Sequence, residues 1–246
     1  MEFETIIYEI EKKVATITIN RPEKLNALNF QLLDELDDAF NEAKENKSVK
    51  VVILKGNGKS FCSGYDLNDS PYLRMPEEGW NYENTLLLLR KFEEKYMRIW
   101  NFPKPTIAQI HGHALAAGCY LQLLCDISVA AEDAILGHPA MKWGGVTSMP
   151  LWQVYLGVKK ARYLLFTGRT ISGKEAEQIG LVSLSVPLDK LDETVNTIAS
   201  ELKSIPHEGI LHSKEILNTD LEIMGTGALF RYHGQNNAIG RLLRYK

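Results

Sequence analysis

Short apolar segments alternate with longer amphipathic segments up to about residue 130, and this alternation limits the possible folds more than any other feature of the sequence. The apolar segments have the length and β-branched content of buried strands, whereas the amphipathic ones repeat apolar residues at the spacing of a helix face. Strand–helix–strand order predicts parallel strands joined by crossover helices. The predicted strands are 14–19, 49–55, 106–110 and 127–130, and the predicted helices are 29–45, 83–100 and 117–124.

Both ends of the chain depart from this alternation. Residues 3–10 predict a further strand in a hairpin with 14–19, because the charged residues 11–13 suit a turn. Beyond about residue 148 the sequence is mostly helical. Helices are predicted at 152–156, 159–166, 173–179, 188–202 and from 207 to about 216. We therefore predict an α/β core over residues 1–190 and a helical C-terminal region over 191–246.

The composition excludes several classes of protein. The chain has 246 residues, 45% of them hydrophobic, which is enough for one large buried core. Its net charge is −3, so the charge gives no support to nucleic-acid binding. The most apolar stretch, 114–131, contains Gln122 and Asp126, and a buried helix followed by a buried strand fits it better than a membrane span.

The cysteines and the N-terminal residues point to a cytoplasmic protein. Cys62, Cys119 and Cys125 are too few for a disulfide framework and form no C-x-x-C pair, so no metal site is expected. The first residues carry charges where a signal peptide needs an apolar core. We expect a soluble protein with reduced thiols and no membrane partner.

Two segments place small residues at predicted strand-to-helix turns, where a ligand can approach the backbone closely. They are Ser63–Leu67 and Ala116–Gly118. Ala117 opens the predicted helix 117–124, so its N–H points outward at the positive end of the helix dipole. Two such N–H groups that converge on one oxygen would form an oxyanion hole. Close packing alone also explains small residues at such turns.

Several motifs, in a consistent order, make the chain similar over nearly its full length to the crotonase (enoyl-CoA hydratase/isomerase) superfamily. The motifs are NRPEKLNAL at 20–28, VVILKG at 51–56, FCSGYDL at 61–67, PKPTIAQIHGHALAAGC at 103–119, LLCDISVA at 123–130, LLFTGR at 164–169 and AEQIGLV at 176–182. This resemblance implies an α/β fold built as a spiral of ββα units with a helical C-terminal trimerisation region. It also implies a homotrimer or a dimer of trimers.

The resemblance implies an enzyme that binds acyl-coenzyme A and stabilises a thioester enolate. The two oxyanion donors carried over from the family are the backbone N–H groups of Tyr65 and Ala117. No metal and no cofactor beyond the coenzyme A moiety of the substrate is implied. The implied coenzyme A contacts are Lys24, Leu25, Asn26, Ala27 and Leu28, with backbone around Asp66 and Leu67.

Three charged residues near this loop have two interpretations each. Arg21 and Lys24 are candidates for phosphate contacts, or they are surface cations exposed to solvent. Asp66 is either a catalytic residue or a structural residue that caps the N–H groups of a following helix, and we favour the structural role.

The sequence departs from the family where hydratases carry two glutamates. Tyr120 stands at the first position and Ala140 at the second. Hydration needs a base for water and an acid for carbon, and each positioned group contributes about 10²–10⁴-fold in rate. Alanine can do neither, and tyrosine, with an ordinary pKa near 10, is a poor base at neutral pH. The sequence therefore argues against two-glutamate hydration.

The remaining candidates for proton transfer are histidines and hydroxyls. His138 precedes the second glutamate position by two residues, and His113 lies at a strand end. Thr147 and Ser148 fall where some relatives place an aspartate, although helix N-capping is the favoured interpretation for both. For the histidines a packed structural role is the alternative, and Cys119 and Cys125 are expected to be inert. Aromatic candidates for the acyl pocket are Tyr72, Trp80 and Trp143.

Three functions remain open from the sequence. The first is enolate chemistry on an acyl-CoA: hydration, isomerisation or decarboxylation. The second is an acyl-CoA hydrolase with a water oriented by His138 or Ser148, and the third is a non-catalytic acyl-CoA-binding protein. The tail either covers a neighbour's coenzyme A site or only packs, and its candidate residues are Phe230, Tyr232, Arg241, Arg244 and Lys246.

Overall fold

A mostly parallel sheet forms the centre of the computed structural model, which describes residues 3–69, 81–145, 147 and 149–244. Within these residues the main sheet has the strand order β1-β2-β3-β4-β6-β9, and a smaller sheet has the order β5-β7-β8. The strands are β1 Ile6–Glu11, β2 Val14–Ile19, β3 Val51–Gly56, β4 Thr106–Ile110, β5 His113–Leu115, β6 Ile127–Ala131, β7 Ile135–Gly137, β8 Thr170–Ser172 and β9 Leu184–Val186.

The helices lie between and after these strands. They are α1 Phe30–Glu45, α2 Tyr82–Trp100, α3 Ala117–Leu124, α4 Leu151–Thr167, α5 Gly173–Gln178, α6 Leu191–Ser204, α7 His207–Ile223 and α8 Thr226–Arg244, with short 3-10 helices at Pro22–Lys24, Pro139–Trp143 and Leu188–Lys190. The longest apolar stretch is the helix α3 and strand β6 that the sequence predicts. Over the described residues, no helix has both the length and the hydropathy needed to cross a bilayer.

The predicted parallel pairing is confirmed. Strand β2 pairs in parallel with β3, β3 with β4 and β4 with β6, whereas β1 and β2 form the expected antiparallel hairpin. The turn of this hairpin is Lys12-Lys13, both with positive φ. The two helices predicted at 152–156 and 159–166 are confirmed, because Gly157, at φ 67° and ψ 164°, divides the segment named α4 into two helices. Glycine tolerates this backbone conformation, which a side chain would strain.

The core forms where the apolar faces of the helices meet the sheet. Along α1 the residues Leu32, Leu36 and Phe40 recur at helical spacing and are buried. Asn29 caps the start of α1, where its side chain accepts the N–H of Leu32. Strand β4 is buried over its whole length, as expected for a parallel strand covered on both faces.

The C-terminal helices differ in what they contact. Helix α6 packs against β3, β4 and β6 and buries Leu191, Val195 and Ala199. Helix α8 packs against α2 and α7. The division of the chain at residue 190 stays a prediction.

A buried lysine closes the end of α1. Lys104 is only 6% exposed, and its ammonium donates hydrogen bonds to the carbonyl oxygens of Ala43 at 2.6 Å and Asn46 at 2.8 Å. The last carbonyls of a helix have no partner within the helix, and a cation there also interacts favourably with the helix dipole. Lys104 therefore fixes the connection between α1 and β3.

We expect Lys104→Met to lower the free energy of unfolding by about 1–3 kcal/mol, because it removes the lysine donor from the buried carbonyl of Ala43 and one of two donors from the carbonyl of Asn46. Urea denaturation followed by circular dichroism measures the change. Lys47→Met is the control, since Lys47 is exposed one residue beyond Asn46. Equal stability losses in the two variants would contradict the role assigned to Lys104.

Candidate active site

The two small-residue turns of the sequence lie side by side. The N–H of Cys62 donates to the carbonyl of His113 at 2.8 Å, and the N–H of Leu115 donates to the carbonyl of Cys62 at 3.0 Å. A Cβ on Gly118 would lie 2.2 Å from the carbonyl oxygen of Cys62, so only glycine allows this approach. The segment after β3 is therefore held directly against the start of α3.

Ala117 begins helix α3 at this junction. The preceding residue, Ala116, has φ 49° and ψ −116°, and its N–H donates to the carbonyl of Gly137 at 2.8 Å. In the first turn of a helix the N–H groups lack a carbonyl four residues back, so the N–H of Ala117 points out of the helix end. A Cβ built on Gly64 would lie 3.8 Å from the nitrogen of Ala117. The structure therefore brings the Gly64 turn to the end of α3.

Tyr65 follows Gly64 and forms a parallel bridge with Leu28. The N–H of Leu28 donates to the carbonyl of Gly64 at 2.7 Å, and the N–H of Asp66 donates to the carbonyl of Leu28 at 2.8 Å. In such a bridge the central residue directs its own N–H to the opposite side. The N–H of Tyr65 therefore points away from Leu28. The side-chain hydroxyl of Tyr65 lies 2.5 Å from the hydroxyl of Tyr96.

The implied coenzyme A loop divides into buried and exposed residues. Asn26 is fully buried, and its amide donates to the carbonyls of Asn57 at 2.8 Å and Ser60 at 2.6 Å. This side chain therefore braces the loop from inside. Ala27 and Leu28 are also buried, whereas the implied contact residues that remain exposed are Lys24, Leu25 and Leu67.

Arg21 and Asp66 form an ion pair under this loop. The guanidinium of Arg21 donates to a carboxylate oxygen of Asp66 at 2.9 Å and to the carbonyl of Ala27. Burial by itself would raise the pKa of Asp66, but hydrogen bonds from Asn68 and Arg21 outweigh it and hold the pKa below its usual range. Arg21 is thus engaged within the protein, and Lys24 remains as the exposed cation of the pair considered from the sequence.

The structural role favoured for Asp66 agrees with these contacts in part. Its carboxylate accepts the N–H groups of Asn68 at 3.0 Å and Asp69 at 3.4 Å. These residues form a bend, and the residues described up to 69 contain no helix after Asp66, so the expected helix cap is wrong in that detail. Asp66 caps an irregular turn instead.

A hydrogen-bonded cluster of Tyr120, His138 and Thr147 lies beyond the first turn of α3. The hydroxyl of Tyr120 is 3.2 Å from Nε2 of His138 and donates to Oγ1 of Thr147 at 3.2 Å. Tyr120 is 2% exposed, and the ring of Tyr96 packs edge-on against it with centroids 6.5 Å apart. Because Tyr120 follows Ala117 by three residues, both lie on one side of α3.

His138 is a neutral histidine at pH 7. It is 5% exposed, and burial lowers its pKa from 6.5 to about 4. Among the described residues, its Nδ1 has no hydrogen-bond partner, although the atom is buried. A buried polar atom of this kind requires a water or a ligand to satisfy it. His138 can therefore orient a molecule but carries no charge with which to attract one.

The capping role expected of Thr147 is wrong. Helix α4 begins at Leu151 after Pro150, and Thr147 makes no capping hydrogen bond to its first turn among the described residues. The Oγ1 of Thr147 instead accepts hydrogen bonds from the hydroxyl of Tyr120 and from the N–H of Met149 at 3.3 Å. Ser148, the other residue expected there, lies outside the described residues.

The other candidates are dispersed. His113 pairs its Nδ1 with the hydroxyl of Ser60 at 3.0 Å. Trp143 is 70% exposed, and Tyr72 and Trp80 lie outside the described residues. The three cysteines are buried and free. Burial raises the pKa of each thiol to about 12, and a thiol that stays protonated is a poor nucleophile. In the described part of the chain, no three His, Cys, Asp or Glu side chains group as metal ligands.

Tyr96 is a site residue that the sequence analysis missed. It lies on the buried stripe of α2 with Leu89 and Phe92. Helical periodicity predicts this stripe, and a buried tyrosine hydroxyl needs a polar partner. The signal was therefore present, but it did not identify Tyr65 as the partner.

Known proteins with similar sequences identify the family of this chain. The sequence model of the enoyl-CoA hydratase/isomerase family matches residues 9–235. A short-chain-enoyl-CoA hydratase from Clostridium acetobutylicum is 34% identical over 90% of this chain and 84% of its own length. A probable enoyl-CoA hydratase from Mycobacterium bovis is 32% identical over 90% of this chain and 84% of its own.

Solved structures give the same result at the level of the fold. An enoyl-CoA hydratase/isomerase from Xanthobacter autotrophicus Py2 superimposes with a TM-score of 0.91 at 34% identity, over 97% of this chain and 88% of that one. A probable enoyl-CoA hydratase from Mycobacterium smegmatis gives a TM-score of 0.88 at 33% identity, over 96% and 93% of the two chains. The chain therefore has the crotonase fold and belongs to the enoyl-CoA hydratase/isomerase family.

Proposed function

We propose that this chain acts on acyl-CoA thioesters and stabilises an enolate oxygen with the backbone N–H groups of Tyr65 and Ala117. The observation that carries the proposal is the closeness of the Gly64 turn to the first residue of α3, since a Cβ built on Gly64 would lie 3.8 Å from the nitrogen of Ala117. Preorganised N–H donors act most strongly on charge that develops in the transition state. The end of α3 adds the positive end of its dipole.

Tyr120 is the proton donor in this proposal. Its hydroxyl is held between His138 and Thr147, one turn along α3 from Ala117. A thioester enolate is completed by a proton delivered to its carbon, and a positioned tyrosine hydroxyl can supply it. His138, neutral and bonded to the same hydroxyl, orients this donor.

This set of groups supports an isomerisation or decarboxylation more than two-glutamate hydration. Isomerisation needs one base, which removes a proton from one carbon before a proton is returned to another. Decarboxylation forms the enolate by loss of CO2, so it needs mainly the oxyanion donors and then a proton from Tyr120. Hydration requires an acid and a base together, and the two positions carried over from the family hold Tyr120 and Ala140. For the coenzyme A moiety, Lys24 is the exposed cation proposed to meet phosphate, with Leu25 and Leu67 beside it.

Ala117→Pro tests the oxyanion donor. Proline has no N–H and is tolerated at the first position of a helix, so the variant removes the donor. We expect the rate with the thioester that the wild-type protein converts to fall by about 10²–10³-fold. Mass spectrometry of crotonyl-CoA, its 3-enoyl isomer and malonyl-CoA after incubation identifies that thioester, and free coenzyme A would instead indicate a hydrolase.

Ala117→Gly is the matched control, because it keeps the N–H. Circular dichroism and thermal melting establish that both variants are folded. An Ala117→Pro protein that is folded and as active as Ala117→Gly would disprove the donor, and a wild-type protein that binds but never converts these thioesters would favour the non-catalytic alternative.

The neutral state of His138 gives a prediction on stability and pH. Its pKa is about 4 in the folded protein and 6.5 ordinarily, so between these values the unfolded chain binds a proton that the folded chain does not. The free energy of unfolding therefore falls as pH decreases through this window, by at most about 1.4 kcal/mol per pH unit for one proton. His138→Gln removes this component.

Urea denaturation of both proteins at pH 7.5, 6 and 5 measures the effect. The stability advantage of the wild type over His138→Gln should shrink as the pH is lowered. His233 also has a lowered pKa, but it is present in both proteins and cancels in the difference. A difference that stays constant across the three pH values would show that His138 titrates normally.

We further propose a homotrimer or a dimer of trimers. The proposal comes from the family, and the exposed apolar side chains of α7 support it: Ile216 is 60%, Leu217 64% and Ile223 80% exposed. Light scattering should give a multiple of three times the 27.8 kDa chain. The double variant Leu217→Glu/Ile223→Glu should reduce the mass, whereas Leu188→Glu, at a residue 56% exposed elsewhere, should not. A monomeric wild type would contradict the proposal.

A further inference from the structure

One tyrosine of helix α2 contacts two parts of the candidate active site. Tyr96 is 5% exposed and lies with Leu89 and Phe92 on the buried side of α2. Its hydroxyl lies 2.5 Å from the hydroxyl of Tyr65. Its ring packs edge-on against the ring of Tyr120, with centroids 6.5 Å apart and an angle of 87° between the ring planes. A single side chain therefore contacts both the turn that follows β3 and the helix α3.

The hydroxyl contact with Tyr65 limits the orientations that the Tyr96 ring can take. Helix α2 holds the Cα of Tyr96, and the hydrogen bond holds the opposite end of the ring. A buried tyrosine hydroxyl needs a polar partner, so a rotation about the side-chain torsions that breaks this bond is unfavourable. The face and edge that Tyr96 presents to α3 are therefore set by the bond to Tyr65.

Tyr65 can serve as an anchor because its own main chain is held on both sides. The N–H of Leu28 donates to the carbonyl of Gly64 at 2.7 Å, and the N–H of Asp66 donates to the carbonyl of Leu28 at 2.8 Å. These two bonds belong to the backbone bridge between Leu28 and Tyr65. The position of the Tyr65 main chain is thus passed through two hydroxyls to the ring of Tyr96.

The ring contact matters because the hydrogen bonds of Tyr120 are long. The Tyr120 hydroxyl lies 3.2 Å from Nε2 of His138 and 3.2 Å from Oγ1 of Thr147. The usual range for a hydrogen bond between two oxygens ends at about 3.0 Å, so the bond to Thr147 is a weak restraint. An edge-on contact is a preferred geometry for two aromatic rings. Packing against Tyr96 therefore contributes to the orientation of the Tyr120 ring.

We propose that Tyr96 is a positioning residue, which aligns the Tyr120 hydroxyl with the oxyanion site by holding the Tyr120 ring at a fixed place relative to Tyr65. This inference rests on the proposed role of Tyr120 as proton donor. It also gives Tyr65 two separate tasks. The main-chain N–H of Tyr65 would bind the enolate oxygen, and its hydroxyl anchors the side chain that orients the proton donor.

A pair of variants tests the contact without any substrate. Tyr96→Phe and Tyr65→Phe remove the two ends of one hydrogen bond, and they keep both rings and the N–H of Tyr65. With fluorotyrosine incorporated, the ¹⁹F resonance of Tyr120 is identified by its loss in Tyr120→Phe. We expect this resonance to shift in both variants, and the double variant to shift it no further than Tyr96→Phe does. Tyr163→Phe, at a residue of α4 that is 51% exposed, is the control and should leave the resonance unchanged.

Steady-state kinetics measures the consequence for the reaction. Tyr96→Phe and Tyr65→Phe should each lower kcat about tenfold, the rate equivalent of one neutral hydrogen bond, with little change in KM. The double variant should lose no more than either single variant, because the same bond is removed. Tyr96→Leu also removes the ring contact and should lose about a further threefold. In a Tyr120→Phe background, Tyr96→Phe should cause no further loss, since there is no proton donor to align.

An unchanged Tyr120 resonance or an unchanged kcat in Tyr96→Phe would overturn the inference. Losses in kcat that multiply in the double variant, or that persist in the Tyr120→Phe background, would also overturn it. If the wild type converts no acyl-CoA, the proposed function fails, and the ¹⁹F comparison still decides whether Tyr96 positions Tyr120. Should Tyr96→Phe not fold, Tyr65→Phe replaces it, because Tyr65 is only partly buried and the variant breaks the same bond.

Discussion

The close approach of the chain after β3 to the start of α3 is the contact on which the site depends. Gly118 lies so near the carbonyl of Cys62 that any side chain would displace it, and ladder-like hydrogen bonds from Cys62 to β5 fix the register. Because this register is fixed by backbone atoms, the Gly64 turn and the end of α3 cannot move independently. Two backbone donors can then be held in place without help from any side chain.

The polar side chains around this backbone contact fall into two groups: residues that stabilise the loop and candidates for the reaction. The side chains of Asn26, Arg21 and Asp66 form hydrogen bonds within and around the loop 21–28, and these bonds stabilise the loop. Tyr120 and His138 are buried just as deeply, but they bond each other through one hydroxyl, and Nδ1 of His138 lacks a partner in the described chain. The second group is therefore where a bound molecule can change the hydrogen bonding.

Features of the site that depend on neighbouring residues can be predicted from the sequence, whereas contacts between residues far apart in the sequence cannot. The proposed donors at Tyr65 and Ala117 follow from motifs and from the helix start, because a helix N-terminus exposes its N–H groups wherever it occurs. The role of Thr147 was mistaken, since a threonine before a helix is ordinarily a cap, and its true partner, Tyr120, is 27 residues away. Tyr96 was missed because helical periodicity predicts which face of α2 is buried but does not predict which residue the Tyr96 hydroxyl contacts.

Local patterns along the chain are enough to predict the elements and their order, with β4 and α3 at the predicted residues, because periodicity and glycine turns act over a few neighbouring positions. Motifs spread along the chain are likewise enough to identify the family. The folded coordinates are needed to show that the Tyr120 hydroxyl meets the His138 imidazole and that Arg21 is paired with Asp66. Such contacts join residues distant in sequence, and their geometry exists only once the sheet and helices have packed.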